Sequence, residues 1–122
     1  MAVFDRRVTS AAEARSWLAE FLSRSAVAVK VCEDALLVIS ELVTNALVHG
    51  QGRPVVRANV APGALELSVT DSGPDPPELL SRDPDRIGGI GLVVVDLLSR
   101  DWGVARFPGG KTVWATLALP AA

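Results

Sequence analysis

The chain has 122 residues, 49% of them hydrophobic, and a formal net charge of −2. That suffices for one domain with a proper core, residues 1–122, and excludes a disordered chain. No basic patch argues for nucleic acid. No apolar run reaches about 18 residues and no positively charged leader precedes an apolar stretch, so no membrane partner is expected and the expected location is cytoplasmic.

In chain order, residues 1–8 read as an edge strand, because Ala2-Val3-Phe4 precedes a charged triplet. Ser10 and Glu13 have capping-box spacing. The helix behind them carries Ala14, Trp17, Leu18, Phe21 and Leu22 at i, i+3, i+4, i+7 and i+8, one buried face. After a connector, a second helix is expected over residues 29–49, stopped by Gly50 and Gly52. Residues 54–60 and 64–70 alternate as two strands of a hairpin around Ala61-Pro62-Gly63. A third helix follows Gly91, and residues 103–107 and 112–119 form a second hairpin around Pro108-Gly109-Gly110. Helices gathered on one side of a mostly antiparallel mixed sheet make a two-layer α/β sandwich, with three helices on one face. The single cysteine, Cys32, has no zinc-ligand spacing and reads as a small core residue.

The second helix carries the most chemistry. Glu41, Asn45 and His49 stand at i, i+4 and i+8, each step turning by only about 40°, so they share one stripe. Around them the helix is apolar, with Val31, Ala35, Val38, Ile39, Leu42, Val43, Ala46 and Leu47. Polar groups leave water only when something satisfies them. A carboxylate beside an amide oxygen suits a hydrated divalent cation and a polyphosphate. Taken alone, the stripe also fits an amphipathic helix with its polar residues in solvent.

Two later clusters bear on that choice. Leu65 to Thr70 alternates and then meets Asp71-Ser72-Gly73-Pro74, which puts Asp71 at a strand end, where a carboxylate can accept from an exocyclic amine such as that of adenine. Gly73 lets the backbone approach a flat ligand. Gly88-Gly89-Ile90-Gly91-Leu92 then leads into an apolar run, and glycines entering a helix N-terminus expose N–H groups to an anion. Each cluster alone is also a common turn or loop. Gly110-Lys111-Thr112 echoes the end of a P-loop, but Ala105 stands where its first glycine belongs and a strand-like run follows. No G-x-G-x-x-G follows a strand, so a dinucleotide fold has no support.

In order, Glu-x-x-x-Asn-Ala, Asp-x-Gly and Gly-x-Gly-Leu resemble the N, G1 and G2 boxes of the GHKL ATPase superfamily, over nearly the whole chain. Within it the chain is similar to the RsbW/SpoIIAB-like anti-sigma factor serine/threonine kinases. Asp101-Trp102-Gly103 and Gly109-Gly110-Lys111-Thr112-Val113-Trp114 resemble the single-domain ATP-binding regulators of actinobacteria. Ten arginines against two lysines agree with a GC-rich genome.

The resemblance implies a Bergerat-type ATP-binding fold with ATP and Mg2+ as cofactors. It implies Asn45 on the metal, Glu41 as general base or as the group that orients the attacking hydroxyl, Asp71 on the adenine amino group and Gly73 giving the base room. It also implies Gly88, Gly89, Gly91 and Leu92 at the phosphates and Thr112 near the adenine. His49 matches a position where the family often has a basic residue near the phosphates, and Arg86 lies where a lid would be; each also reads as an ordinary structural or solvated residue. The implied activity is phosphorylation of a STAS-type anti-anti-sigma protein, with a sigma factor as second partner and a homodimer as the state common in that group. Pro74, Pro76, Pro77 and Pro84 shorten and stiffen the segment between Gly73 and Gly88. They point to the alternative, a nucleotide-gated partner-binding module with little or no kinase activity. A detached sensor histidine kinase domain fits less well, since His49 is the only histidine and lies on the nucleotide helix.

Overall fold

The computed structural model describes residues 1–73 and 89–120, with only the backbone described at 89–91. Its elements are β1 (Ala2–Val3), α1 (Ser10–Ser23), α2 (Val29–His49), β2 (Val55–Ala61), β3 (Ala64–Asp71), α3 (Gly89–Leu98), β4 (Asp101–Phe107) and β5 (Gly110–Ala118). The sheet order is β1-β2-β3-β5-β4, and every neighbouring pair is antiparallel. α2 packs against β3 and β5, with α1 and α3 on either side of it. The result is an α/β sandwich of three helices over an open five-stranded sheet.

Both hairpins turn on Pro-Gly. Ala61 pairs with Ala64 and Phe107 with Gly110, leaving two-residue turns whose second residues, Gly63 and Gly109, have φ of 76° and 87°. Proline presets the first turn position and glycine accepts the positive φ at the second. The second hairpin is therefore longer than its hydrophobic runs imply, beginning at Asp101 and resuming at Gly110.

Strand alternation decides which side chains meet the helices. On β3, Leu65, Leu67, Val69 and Asp71 are buried, and on β5 Lys111, Val113, Ala115 and Leu117 are. The intervening residues, among them Ser68, Thr70, Thr112, Trp114 and Thr116, belong to the face without helices. The core lies between the inward set and Ala14, Leu18, Leu22, Val38, Ile39, Leu42 and Val43 of α1 and α2. Trp17 and Phe21 are half-buried at its margin, their rings stacked 6.0 Å apart.

The start of α1 departs from the capping box. Thr9 is the N-cap residue and makes no side-chain cap bond, while Ser10 is the first helical residue and is fully buried. The Ser10 hydroxyl donates to the Asp5 carbonyl and accepts from the Arg7 N–H at 3.2 Å, so the loop before the helix claims the group a cap would use. The edge strand is also shorter than its composition implied. After the Phe4 N–H bonds the Pro54 carbonyl at 3.0 Å, the chain leaves the sheet and Arg6 reaches the end of α2. α3 begins at Gly89, three residues before its expected start after Gly91. Among the described residues no helix is long and apolar enough to cross a membrane.

Candidate functional site

α2 carries its polar stripe into the molecule. Asn45 is 3% exposed, the one polar residue in the helix's buried set. Its neighbours on the stripe, Glu41 and His49, are half-buried. The Asn45 amide nitrogen has no hydrogen-bond partner among the described residues. An unpaired buried amide nitrogen costs free energy, and here it leaves one hydrogen-bond donor open on α2.

The last turn of α2 is held from below. Arg6 donates to the carbonyls of Ala46 at 3.1 Å, Leu47 at 2.7 Å and Gly52 at 3.2 Å. Helix C-termini leave carbonyls unpaired, and a guanidinium fork covers several at once while meeting the negative end of the dipole. Gly50 closes the helix in an extended conformation, φ −103°, so the left-handed cap expected of a terminal glycine is absent there. Gly50 is small for another reason: a Cβ on it would stand 2.6 Å from both carboxylate oxygens of Asp71. The positive φ comes two residues later, at Gly52, 72°.

Asp71 ends β3 on the helix side and is 2% exposed. Its Oδ1 accepts from the Gly73 N–H at 2.9 Å and from the Lys111 ammonium at 3.0 Å; Oδ2 accepts from the same ammonium at 2.9 Å. Lys111 is wholly buried and is Asp71's cross-strand partner on β5. Gly73 is equally confined, since a Cβ there would lie 2.8 Å from the Gln51 nitrogen and 2.9 Å from the Gly50 Cα. The end of α2, the Asp71-Ser72-Gly73 turn and the start of β5 thus meet at one point. The Ser72 N–H ties the turn to the loop after α2 through the Gln51 carbonyl at 2.8 Å. By contrast, Lys30 and Asp34 at the other end of α2 pair in the open, where the Asp34 carboxylate raises the ammonium's pKa but solvent weakens the attraction.

Several sequence expectations gather here and others do not. Glu41, Asn45 and His49 lie along α2, with Asp71 and Gly73 packed at its C-terminal end. Gly89 and Gly91 fall in the first turn of α3. Leu92 is a core residue, 4% exposed, and anchors α3. Thr112, expected near the adenine, lies on the sheet face without helices. Its hydroxyl is 2.7 Å from that of Thr70, its partner across the strands, on the face opposite Asp71. One-residue alternation puts Lys111 on the helix side instead. Arg86, Gly88 and the proline-rich segment before them lie outside the described residues.

Lys111 is the site residue the sequence reading passed over. The available signal was its phase: it precedes Val113, Ala115 and Leu117 by steps of two, so an inward lysine was written into the strand.

Three helices on one face of an antiparallel open sheet, with an Asn-bearing central helix meeting an Asp-x-Gly strand end, is the α/β sandwich of the GHKL ATPases. A family model for the histidine kinase-like ATPase domain matches residues 4–117, and the chain belongs to that family. Among solved structures, the RsbU and RsbW domains of Rv1364c from Mycobacterium tuberculosis are 26% identical, with a TM-score of 0.74 over 98% of this chain and 32% of that one. The blue-light activated histidine kinase of Erythrobacter litoralis EL346 is 30% identical, with a TM-score of 0.60 over 76% of this chain and 32% of that one. The Acinetobacter baumannii histidine kinase AdeS, 13% identical with a TM-score of 0.60 over 98% of this chain and 68% of that one, shares the fold. The chain spans about a third of the length of the first two. No curated protein matches it.

Proposed function

We propose that this domain binds Mg-ATP and is an anti-sigma regulatory factor that phosphorylates a serine or threonine of a STAS-type anti-anti-sigma protein, so that phosphorylation decides whether it holds that antagonist or a sigma factor. The observation that supports the reading is the buried Asn45, whose amide nitrogen is left as an open hydrogen-bond donor, one turn after a half-buried glutamate on the same stripe; the role of its amide oxygen at the metal comes from the family resemblance. The similarity to a structure that contains an RsbW domain supports the choice of partner class.

The residues present fit the implied ligands. Magnesium carried by a nucleotide would take most of its oxygen ligands from phosphate and water, so a single protein oxygen would suffice for it. In this reading the Asn45 amide oxygen would hold the metal, which would supply charge neutralisation on the phosphates. Asp71 accepts from the adenine amino group, while the tight packing of Gly50 and Gly73 fixes where its carboxylate stands. The N–H groups at the start of α3 face the phosphates, where a helix N-terminus favours an anion.

The partner's hydroxyl oxygen attacks the γ-phosphorus, the bond from phosphorus to the β,γ-bridging oxygen breaks, ADP leaves, and the hydroxyl proton passes to the Glu41 carboxylate. Such transfer is mostly positioning and charge neutralisation. The second reading, a nucleotide-gated binding module, is favoured by the four prolines between Gly73 and Gly88. Labelled ATP, a verified STAS-type partner and the Glu41→Ala variant separate the two. A kinase loses about 10²–10⁴-fold in transfer rate while keeping its ATP affinity. Equal labelling by wild type and variant leaves the module.

A further inference from the structure

Strand alternation leaves one face of the sheet outside the core. Its centre is uncharged and half-buried, with Ser68 on β3 and Trp114 on β5. Arg57 on β2 and Asp101 on β4 stand exposed at opposite rims. Glu66, nearer the middle, accepts from the Asn59 amide at 2.8 Å. Arg57 makes no hydrogen bond or ion pair among the described residues. Asp101 uses Oδ1 for the Trp102 backbone N–H at 3.0 Å. Trp114 does not stand upright on this face. A Cβ on Gly103, its cross-strand partner, would lie 2.9 Å from the indole, so the ring lies across that glycine towards β4. Beside the ring, over Ser68, is a groove of about 320 Å³.

We infer that two copies of this chain join through the helix-free face, about a two-fold axis running along the strands between β3 and β5, with the Arg57 of each copy stacked on the Trp114 of the other. The ladder registers put Arg57, Ser68, Trp114 and Gly103 in one row across the sheet. The axis exchanges β2 with β4 and β3 with β5, so in an aligned packing of two sheets the row meets its own reverse. A surface that is its own complement in this way is what a two-fold contact requires. The partner's Trp114 enters the groove over Ser68. The partner's Arg57 comes down over Gly103, where the indole lies, and a guanidinium on the face of a tryptophan is attracted by the ring, more so once water is excluded. Asp101 stands two residues from Gly103 along β4, about 7 Å away, within reach of the same guanidinium. The opposite charges at the two rims are thereby brought together. No helix obstructs the approach, since all three pack on the other face.

Strand spacing and rise make the face roughly 19 by 24 Å. That is small beside the usual interface of about 800 Å² a side, so the dimer should be a weak one. Sedimentation equilibrium on wild type should show mostly dimer at about 100 μM or above, dissociating at low micromolar concentration. A wild type that stays monomeric at several hundred micromolar overturns the inference.

Two variants locate the contact. Arg57→Glu and Trp114→Thr should each raise the dissociation constant at least about tenfold, as loss of a central anchor does, with circular dichroism confirming the fold. Arg57 is exposed, so its variant folds even if the Trp114 variant does not. Arg24→Glu makes the same change of charge on α1, outside the face, and should leave the constant within a few fold of wild type. Adding Asp101→Arg to Arg57→Glu reverses both rims and should restore part of the lost affinity. A dimer that Arg57→Glu does not weaken, or that Arg24→Glu weakens equally, is joined elsewhere and contradicts the inference. No nucleotide enters these measurements, so their failure leaves the proposed function standing, and failure of ATP binding leaves the dimer standing.

Discussion

The ammonium of Lys111 bridges both carboxylate oxygens of Asp71, at 3.0 and 2.9 Å, with each side chain 1% exposed. Two β-strands and the end of α2 converge on that pair, which links the site to the stability of the fold. Removing one partner leaves the other charged and dry, and such losses run to about 3–5 kcal/mol. Lys111→Met and Asp71→Leu should each cost about that much in urea unfolding, and the double variant should recover most of it, because apolar replacement of a whole buried pair is often neutral. Additive losses would show that the two side chains do not interact in solution.

Asn45 should behave in the opposite way. Its amide nitrogen is buried without a partner among the described residues, so the folded chain carries its desolvation with no return. Asn45→Leu, close in volume, should leave unfolding stability unchanged or raise it by about 1–2 kcal/mol, while nucleotide binding and its Mg2+ dependence are lost. A drop of about 2 kcal/mol or more would mean that the amide is satisfied within the protein and has a structural task.

Gly50 offers a steric test free of backbone strain. Its φ of −103° suits any residue, so Gly50→Ala acts only through the methyl, which would lie 2.6 Å from the Asp71 oxygens. The variant should lose about 1–3 kcal/mol of stability, as overpacked sites do, and at least about tenfold in ATP affinity. Unchanged affinity measured by calorimetry would detach Asp71 from the ligand.

Arg6 is expected to govern the last turn of α2 locally. The Ala46 carbonyl accepts from both the Gly50 N–H at 3.0 Å and Arg6 at 3.1 Å. Arg6→Ala should cost about 1 kcal/mol, modest because the side chain is exposed to water. Amide exchange at Gly50 should quicken while exchange in the middle of α2, at Val38 and Ile39, stays slow. Uniform acceleration along the helix would show global rather than local weakening.

Much of this architecture was legible before any coordinates. α2 runs over Val29–His49 as its period requires, and both hairpins fall where alternation breaks at Pro-Gly. Those signals are local, carried by neighbours within a turn or two. What escaped the sequence was tertiary. Gly50 is small because of a carboxylate 21 residues later, so its terminal position read as an ordinary helix stop. The Ser10–Glu13 spacing matched a capping box, yet the Asp5 carbonyl took the serine hydroxyl. Thr112 was expected by the base through family resemblance, and starting the strand at residue 112 kept Lys111 out of its alternation; with β5 beginning at Gly110 the lysine faces inward and the threonine outward.

The account stands most directly on nucleotide binding by the folded chain. Isothermal titration of ATP into the protein, with and without Mg2+, should give one saturable site whose affinity drops when the metal is chelated and drops again with Asn45→Leu. A protein shown to be folded by circular dichroism that gives no ATP heat in the presence of Mg2+, at concentrations reaching the millimolar range, would contradict it.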